Sequence, residues 1–287
     1  MSRLLSIGMV QCPLSGSTAD NLKRLEGLVR EAAAAGAQVI VTPELPQGPY
    51  FPRQQHDANF ERARTLRDDE SVAAFRRLAQ SLHVVLPISF FERAGPAYYN
   101  TVAVIDAGGS VLGTYRKSHI PDGPGYQEKF YFRPGDTGFR VWQTRHGRLG
   151  VGICWDQWFP ESARAMTLLG ADVVVYPSAI GSEPEAPELD TKLPWQRVMV
   201  GHAVANAVPI VAVNRTGREH DLVFYGSSFM ADARGDLVAR LGENETGTRS
   251  YRFDLDQIRA YRASFGFFRD RRPELYGALC ASQPTQR

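Results

Sequence analysis

Three residues of this chain carry the chemistry needed to attack and cleave a carbonyl compound, and each stands where an apolar run ends. Cys154 closes "RLGVGIC", and beyond "WDQWFP" the run "ESARAMTLLG" reads as a helix from about Pro160. Glu44 follows "AQVIVTP" and precedes the breaker-rich "LPQGPYF". Lys117 ends "VLGTYRK" and opens the loop "SHIPDGPGYQEKF". A thiol attacks only as thiolate, so it needs a base beside it. A carboxylate can be that base, and a fixed ammonium can hold the charge that develops on a carbonyl oxygen. The spacing predicts that Cys154 sits at a strand-to-helix turn, with the backbone amide of Trp155 as a second oxyanion donor. The helix's positive end is then expected to lower the thiol's pKa.

Taken singly, each residue has a plainer reading. Free cysteine is among the most buried residue types. A glutamate after a strand is usually solvated, and a loop lysine usually lies on the surface. Glu128, further along the same loop, reads as a salt-bridge partner for a nearby cation. His119 reads as a hydrogen-bonding loop residue.

These residues depend on elements that bring strand ends together. "ADNLKRLEGLVREAAAAG" and "DESVAAFRRLAQSLH" have helical periodicity. Hairpins are expected over "YYNTVAVIDAGGSVLGTYRK", over "GFRVWQTRHGRLGVGICW" and over "VFYGSSFMADARGDLVARL". Most strands are apolar on both faces, and hairpins mix with crossovers. That predicts layered α/β structure with mixed sheets rather than a doubly wound parallel sheet. Residues 1–287 read as one domain. Two long loops, 118–138 and 178–194, are rich in Pro, Gly and polar residues and are expected to serve function.

Composition narrows the partners. The net charge is +2, with Lys and Arg scattered, so neither nucleic acid nor an anionic membrane is an expected partner. Cys12, Cys154 and Cys280 are odd in number and far apart, which predicts free thiols and a reducing, cytoplasmic setting. "MSRLLSIGMVQC" is expected to form a first strand rather than a signal peptide. No metal-ligand spacing, P-loop, dinucleotide fingerprint or G-x-S-x-G elbow occurs, so no metal or cofactor is expected.

The segments "TPELPQGPYF", "YRKSHIPDGPGYQEKFYFRPGDTGF" and "GICWDQWFPESARAMTLLGADVVVYPSAIGSEP" resemble the signature segments of the nitrilase (carbon–nitrogen hydrolase) superfamily. The resemblance runs from "GMVQCP" to "FRDRRPELY". It implies a four-layer α-β-β-α sandwich with two mixed sheets. It implies hydrolysis of a non-peptide C–N bond, with Glu44 as general acid/base, Lys117 stabilising the tetrahedral intermediate and Cys154 as nucleophile. Glu128 and His119 would be supporting residues. It also implies a small-molecule substrate, no cofactor, and a homodimer or higher homo-oligomer. The expected interface is the helix after Cys154 together with "FGFFRDRRPELY"; the plainer reading is that Phe265, Phe267 and Phe268 dock on their own domain.

Within the superfamily the chain looks most similar to enzymes of N-carbamoyl amines. Relatives acting on N-carbamoyl amino acids carry arginines after the cysteine to grip a carboxylate, whereas "CWDQWFPE" offers Asp156 and no arginine. With Glu183, Glu185, Glu188 and Asp190 in the later loop, this predicts a cationic substrate tail. Asp156 and Trp158 are expected to bind that substrate, with Trp155 beside them; Asp156 as a helix cap is the plainer alternative. The chain departs from that branch at Pro46-Gln47, where the branch has Phe-Glu, and in its short "REHDLV" segment. Another amidase of the superfamily, or a binding protein on the same fold, are the alternatives.

Overall fold

A strand buried at every position must be covered on both sides. Val173–Ser178 (β8) is such a strand, as are Val39–Val41 (β2) and Ile210–Asn214 (β9). In the computed structural model, which describes residues 3–281, they lie in two sheets packed face to face. The first joins Gly247–Asp254 (β14), Leu4–Gln11 (β1) and β2 to the antiparallel strands Leu86–Ala94 (β3), Ala97–Ile105 (β4) and Val111–Arg116 (β5). The seam between β2 and β3 is closed by Ile40 N–H on the Val85 carbonyl at 3.0 Å and Val85 N–H on that of Gln38 at 2.8 Å. The second runs Leu237–Arg240 (β13), Phe229–Ala231 (β12), β9, β8, Arg148–Val151 (β7) and Val141–Gln143 (β6). Its centre, β7-β8-β9, is parallel and its edges are antiparallel.

Helices cover the outer faces. Thr18–Ala34 (α1) and Glu70–Leu82 (α2) place Leu25, Val29, Phe75 and Leu78 against Ile40, Leu86 and Ile88. Ser17 and Asp69 cap their N-termini, accepting from Asp20 N–H and Val72 N–H. Pro160–Leu168 (α3) and Lys192–Asn206 (α4) send Met166, Trp195 and Met199 into the core of the second sheet. Between the sheets, Leu5, Ile7 and Met9 share a core with Leu149, Val151 and Val174. The order is α-β-β-α, as the resemblance implied. Leu255–Phe265 (α5) follows β14, capped by Asp254.

Two expectations need correction. The last hairpin is not continuous from Val223. Thr216–Glu219 (β10) and Leu222–Tyr225 (β11) form their own ribbon, and only β12 and β13 pair beyond it. Gly226 and Ser227 both take positive φ and turn the chain out of that ribbon. Nor does an α-helix open directly after Cys154. Cys154–Trp158 is a short 3₁₀ turn and Phe159 is extended; α3 starts at Pro160, where the helix was expected.

Candidate active site

The strand ends deliver the expected side chains to one place. Glu44 lies three residues beyond β2, Lys117 directly follows β5, and Cys154 lies three residues beyond β7. Glu128 begins a 3₁₀ turn in the long loop after β5. Lys117 Nζ donates to Glu44 Oε1 at 2.9 Å and to both oxygens of Glu128 at 2.9 and 2.7 Å. Asn100, on β4, donates its side-chain amide to the same Glu44 oxygen at 2.6 Å. Tyr50 O–H donates to Glu128 Oε1 at 2.6 Å. All five side chains are buried. Glu44 Oε2 is also buried and accepts no hydrogen bond among the described residues.

Burial sets the electrostatics. It opposes the charge on Lys117, but Glu128 and Glu44 outweigh it and hold the ammonium above its ordinary pKa. Burial raises the Glu128 carboxyl, against the pull of Lys117. Burial also raises the Cys154 thiol well above its ordinary value, with Glu44 adding to the rise and Lys117 opposing it. The expected lowering by a helix end is therefore overturned. No α-helix starts at the cysteine, and desolvation dominates. Burial thus favours the protonated thiol, and a base beside it is needed to take the proton as the sulfur attacks.

Backbone conformation marks the same positions. Cys154 has φ +41° and Leu45, next to Glu44, has φ +46°. Side-chain-bearing residues adopt this region at a cost, and sustain it where the surroundings fix them. Around Cys154 the fixing group is Asp156. Its Oδ2 accepts from Ile153 N–H at 2.9 Å and Tyr115 O–H at 2.8 Å. Its Oδ1 takes His119 N–H at 3.0 Å and meets His119 Nδ1 at 2.7 Å. Asp156 is fully buried and is not in the pocket wall. The expectation that it binds substrate is corrected: its oxygens are committed to holding the nucleophile's turn. His119, stacked on Phe159 at 3.6 Å, belongs to the same brace. Trp158 is corrected likewise. It packs against the inter-sheet core, while its neighbour Trp155 lines the pocket.

Cys154 opens onto a cavity of about 90 Å³. Tyr50, Glu128, Ala179 and Ile180 form the inner wall with Cys154, and Pro121, Asp122, Tyr126, Trp155 and Glu183 complete it. Both long loops supply residues, as expected. Tyr126 ties them together, accepting from Gly181 N–H and donating to the Ser182 carbonyl, both at 3.0 Å. A Cβ on Gly181 would fall 2.2 Å from the Val223 carbonyl oxygen, so only glycine allows that approach. Partial burial raises the Glu183 carboxyl. Glu185, Glu188 and Asp190 are exposed and outside the wall.

Sequence reasoning missed Tyr50, Asn100, Arg215 and Glu219. Asn100 and Arg215 did carry a signal, since each is a polar residue beside a strongly apolar run in "YYNTVAVI" and "PIVAVNR". Among the described residues no group of three or more His, Cys, Asp or Glu side chains is placed to hold a metal ion. Nor, among the described residues, is any helix long and apolar enough to cross a membrane.

An α-β-β-α sandwich that gathers an ammonium, two carboxylates and a thiol at its strand ends is the architecture of the nitrilase superfamily. The model of the family described as carbon-nitrogen hydrolase matches residues 6–263, and the chain belongs to that family. The N-carbamoylputrescine amidase of Arabidopsis thaliana is 50% identical over 285 residues, covering 96% of this chain and 95% of its own. A citrullinase of Francisella tularensis is 48% identical over 279 residues, covering 96% and 98%. Among solved structures, a carbon-nitrogen hydrolase of Helicobacter pylori superposes with a TM-score of 0.92 at 36% identity, covering 98% of this chain and all of that one. The protein is an enzyme of carbon–nitrogen bond hydrolysis, an amidase.

Proposed function

We propose that this amidase cleaves N-carbamoylputrescine to putrescine, carbon dioxide and ammonia. Glu44 takes the thiol proton as Cys154 attacks the carbamoyl carbon. Its Oε2, buried and free of hydrogen bonds among the described residues, supports that role. Lys117 and the Trp155 backbone N–H hold the oxyanion. The C–N bond then breaks, and Glu44 returns the proton to the departing amine. Water, deprotonated by Glu44, hydrolyses the S-carbamoyl enzyme to carbamate, which decomposes. Glu128 keeps Lys117 in place and charged.

The observation that carries the substrate reading is the pocket wall. It contains Asp122, Glu128 and Glu183 and no Lys, Arg or His. Such a wall attracts a terminal ammonium and repels a carboxylate. The identity with the plant amidase supports it. A second reading, citrulline as substrate, has support from the Francisella relative. Citrulline carries the same carbamoyl amine on a four-atom stem but ends in an ammonium and a carboxylate, and the wall offers no cation for the latter. The test is the specificity constant on N-carbamoylputrescine, citrulline and N-carbamoyl-β-alanine. We expect the first to lead by at least about tenfold, or ~1.4 kcal/mol. Citrulline in the lead would install the second reading. Cys154→Ala should abolish turnover in every case while leaving the fold intact.

Exposed Leu168, Leu169, Phe265, Leu275 and Leu279 support a face that pairs copies of the chain as a homodimer or higher homo-oligomer. Phe268 is held by its own chain, under Arg164 at 4.9 Å and Arg262 at 5.6 Å. Sedimentation as a monomer at working concentration would refute that assembly. Three free cysteines agree with a cytoplasmic setting.

A further inference from the structure

The Glu44–Tyr50 loop is wrapped around a buried ion pair that no step of the reaction uses. Arg215 follows β9 and is wholly buried. One terminal nitrogen donates to the carbonyls of Glu44 and Leu45 at 2.8 and 2.9 Å. The other donates to Glu219 Oε1 at 2.9 Å and to the Gly48 carbonyl at 3.3 Å. The second oxygen of Glu219 accepts Tyr50 N–H at 2.6 Å. The guanidinium lies 5.8 Å from the Tyr50 ring centre and 5.3 Å from that of Phe224.

This arrangement reaches the reacting groups twice. At one end it holds the Glu44 carbonyl and the left-handed Leu45, which set the Glu44 carboxylate against Lys117. At the other it holds Tyr50, whose hydroxyl holds Glu128 against Lys117. Burying an ion pair is a weak route to stability, since well-packed apolar residues often serve as well. An apolar pair, however, offers no donors to three carbonyls and no acceptor to an amide.

We infer that Arg215 and Glu219 are positioning residues for the reaction, setting the Glu44 carboxylate and, through Tyr50, the Glu128–Lys117 pair. The inference rests on the mechanism proposed above. Neither residue lines the substrate pocket itself, so the effect should fall mainly on kcat and leave KM nearly unchanged. Displacing a reacting group by about 1 Å can cost on the order of a hundredfold in rate.

The variants are Glu219→Gln, Arg215→Lys and Arg215→Met, with kcat expressed per folded protein, the folded fraction being read by circular dichroism at the assay temperature. Glu219→Gln keeps an acceptor for Arg215 but can lose the one for Tyr50 N–H. Its kcat should fall roughly ten- to a hundredfold with KM within about twofold, and its pH–rate profile should move. Arg215→Lys should recover part of the rate that Arg215→Met loses. Should Arg215→Met fail to fold, Glu219→Gln alone decides. An unchanged kcat per folded protein and an unchanged pH profile in Glu219→Gln would overturn the inference, and would do so even if melting temperature fell. Parallel measurement of Cys154→Ala and Glu44→Gln separates the two levels: activity retained there would sink the mechanism itself, whereas activity lost there but kept in Glu219→Gln would sink only the positioning role.

Discussion

Arg116 and Lys117 are neighbours in the chain, and each is a cation between two carboxylates. Arg116 meets Glu92 at 2.8 Å and Asp136 at 2.9 Å. Lys117 meets Glu44 at 2.9 Å and Glu128 at 2.7 Å. Successive residues at a strand end point to opposite sides, so the two triads share a backbone and little else. The Arg116 side chain keeps 19% of its exposure and Asp136 keeps 57%, while Lys117 and Glu44 keep none. Arg116 also lies 4.0 Å from the Tyr99 ring centre. Solvent screens the Arg116–Asp136 arm of the first triad, while Glu92 and the whole second triad are buried. Similar formal charges therefore make a fastening on one side and a charged chamber on the other.

The largest test of that contrast is Lys117→Met. Removing the ammonium leaves Glu44 and Glu128 buried together, and stranding a buried charge costs about 3–5 kcal/mol. Turnover should vanish. The pH dependence carries the sign. Glu128 is already raised by burial, with Lys117 as the main opposing influence. Without Lys117 it rises further above its unfolded value. Stability is then present below the ordinary carboxylate range and lost as pH rises through the folded value. Urea unfolding should find the variant closest to the parent at acid pH and furthest from it above neutrality. Equal destabilisation at both pH values would break the comparison.

A buried group whose neighbouring cations are too weak to offset desolvation sharpens it. Cys12 is fully buried, and burial pushes its thiol up to about 11, against weaker opposing influences from Arg24 and Arg215. A folded pKa raised above the unfolded one gives stability that is lost as pH rises. The loss should run from the ordinary 9.0 to about 11 and amount to roughly 3 kcal/mol. Cys12→Ala should be less stable at neutral pH, through its cavity, yet show a flatter decline above pH 9. Denaturant titrations across that window would measure it; identical slopes in parent and variant would remove burial as the cause.

The same contrast explains what the sequence could and could not reveal. Glu44, Lys117 and Cys154 were legible because each interrupts an apolar run at a strand end, and such ends converge in layered α/β proteins. Asp156 was misread because its partners Tyr115 and His119 come from a hairpin 41 and 37 residues away. Next to a cysteine, an acidic residue looks like pocket charge until those donors are seen. Glu219 left no pattern of its own and Arg215 stood out only as a polar residue after an apolar run, since their targets lie about 170 residues earlier in the chain. The ribbon of β10 and β11 was hidden because "REHDLV" is polar and short, and its pairing depends on the bend at Gly226 and Ser227.

The next effect lies on the exposed side. Arg116→Met should cost less than Lys117→Met, about 1–3 kcal/mol, because buried Glu92 loses its two Arg116 bonds while the exposed Asp136 arm contributes little, and should leave kcat within about twofold. Some of that cost belongs to the Tyr99 contact rather than to charge. A loss of turnover comparable with Lys117→Met would mean that the two triads communicate through the shared strand end.

The smallest effect should come from Asp136→Asn. Its hydrogen bond to Arg116 holds the Asp136 carboxyl below the ordinary carboxylate range. A depressed carboxylate contributes above its unfolded pKa and loses that contribution as pH falls through the folded value. The difference between parent and variant should therefore be present at neutral pH and shrink in acid, opposite to the trend in Lys117→Met. It should stay within about 0.5 kcal/mol, because the carboxylate is mostly in water. It should also shrink in 1 M salt, where the screening length falls to about 3 Å. The Lys117→Met penalty should survive that salt, since buried charges are screened far less than exposed ones. Thermal melts of the two variants at low and high salt set the trends side by side. Salt-sensitive loss at Lys117, or a salt-resistant one at Asp136, would show that exposure is not what divides the two triads.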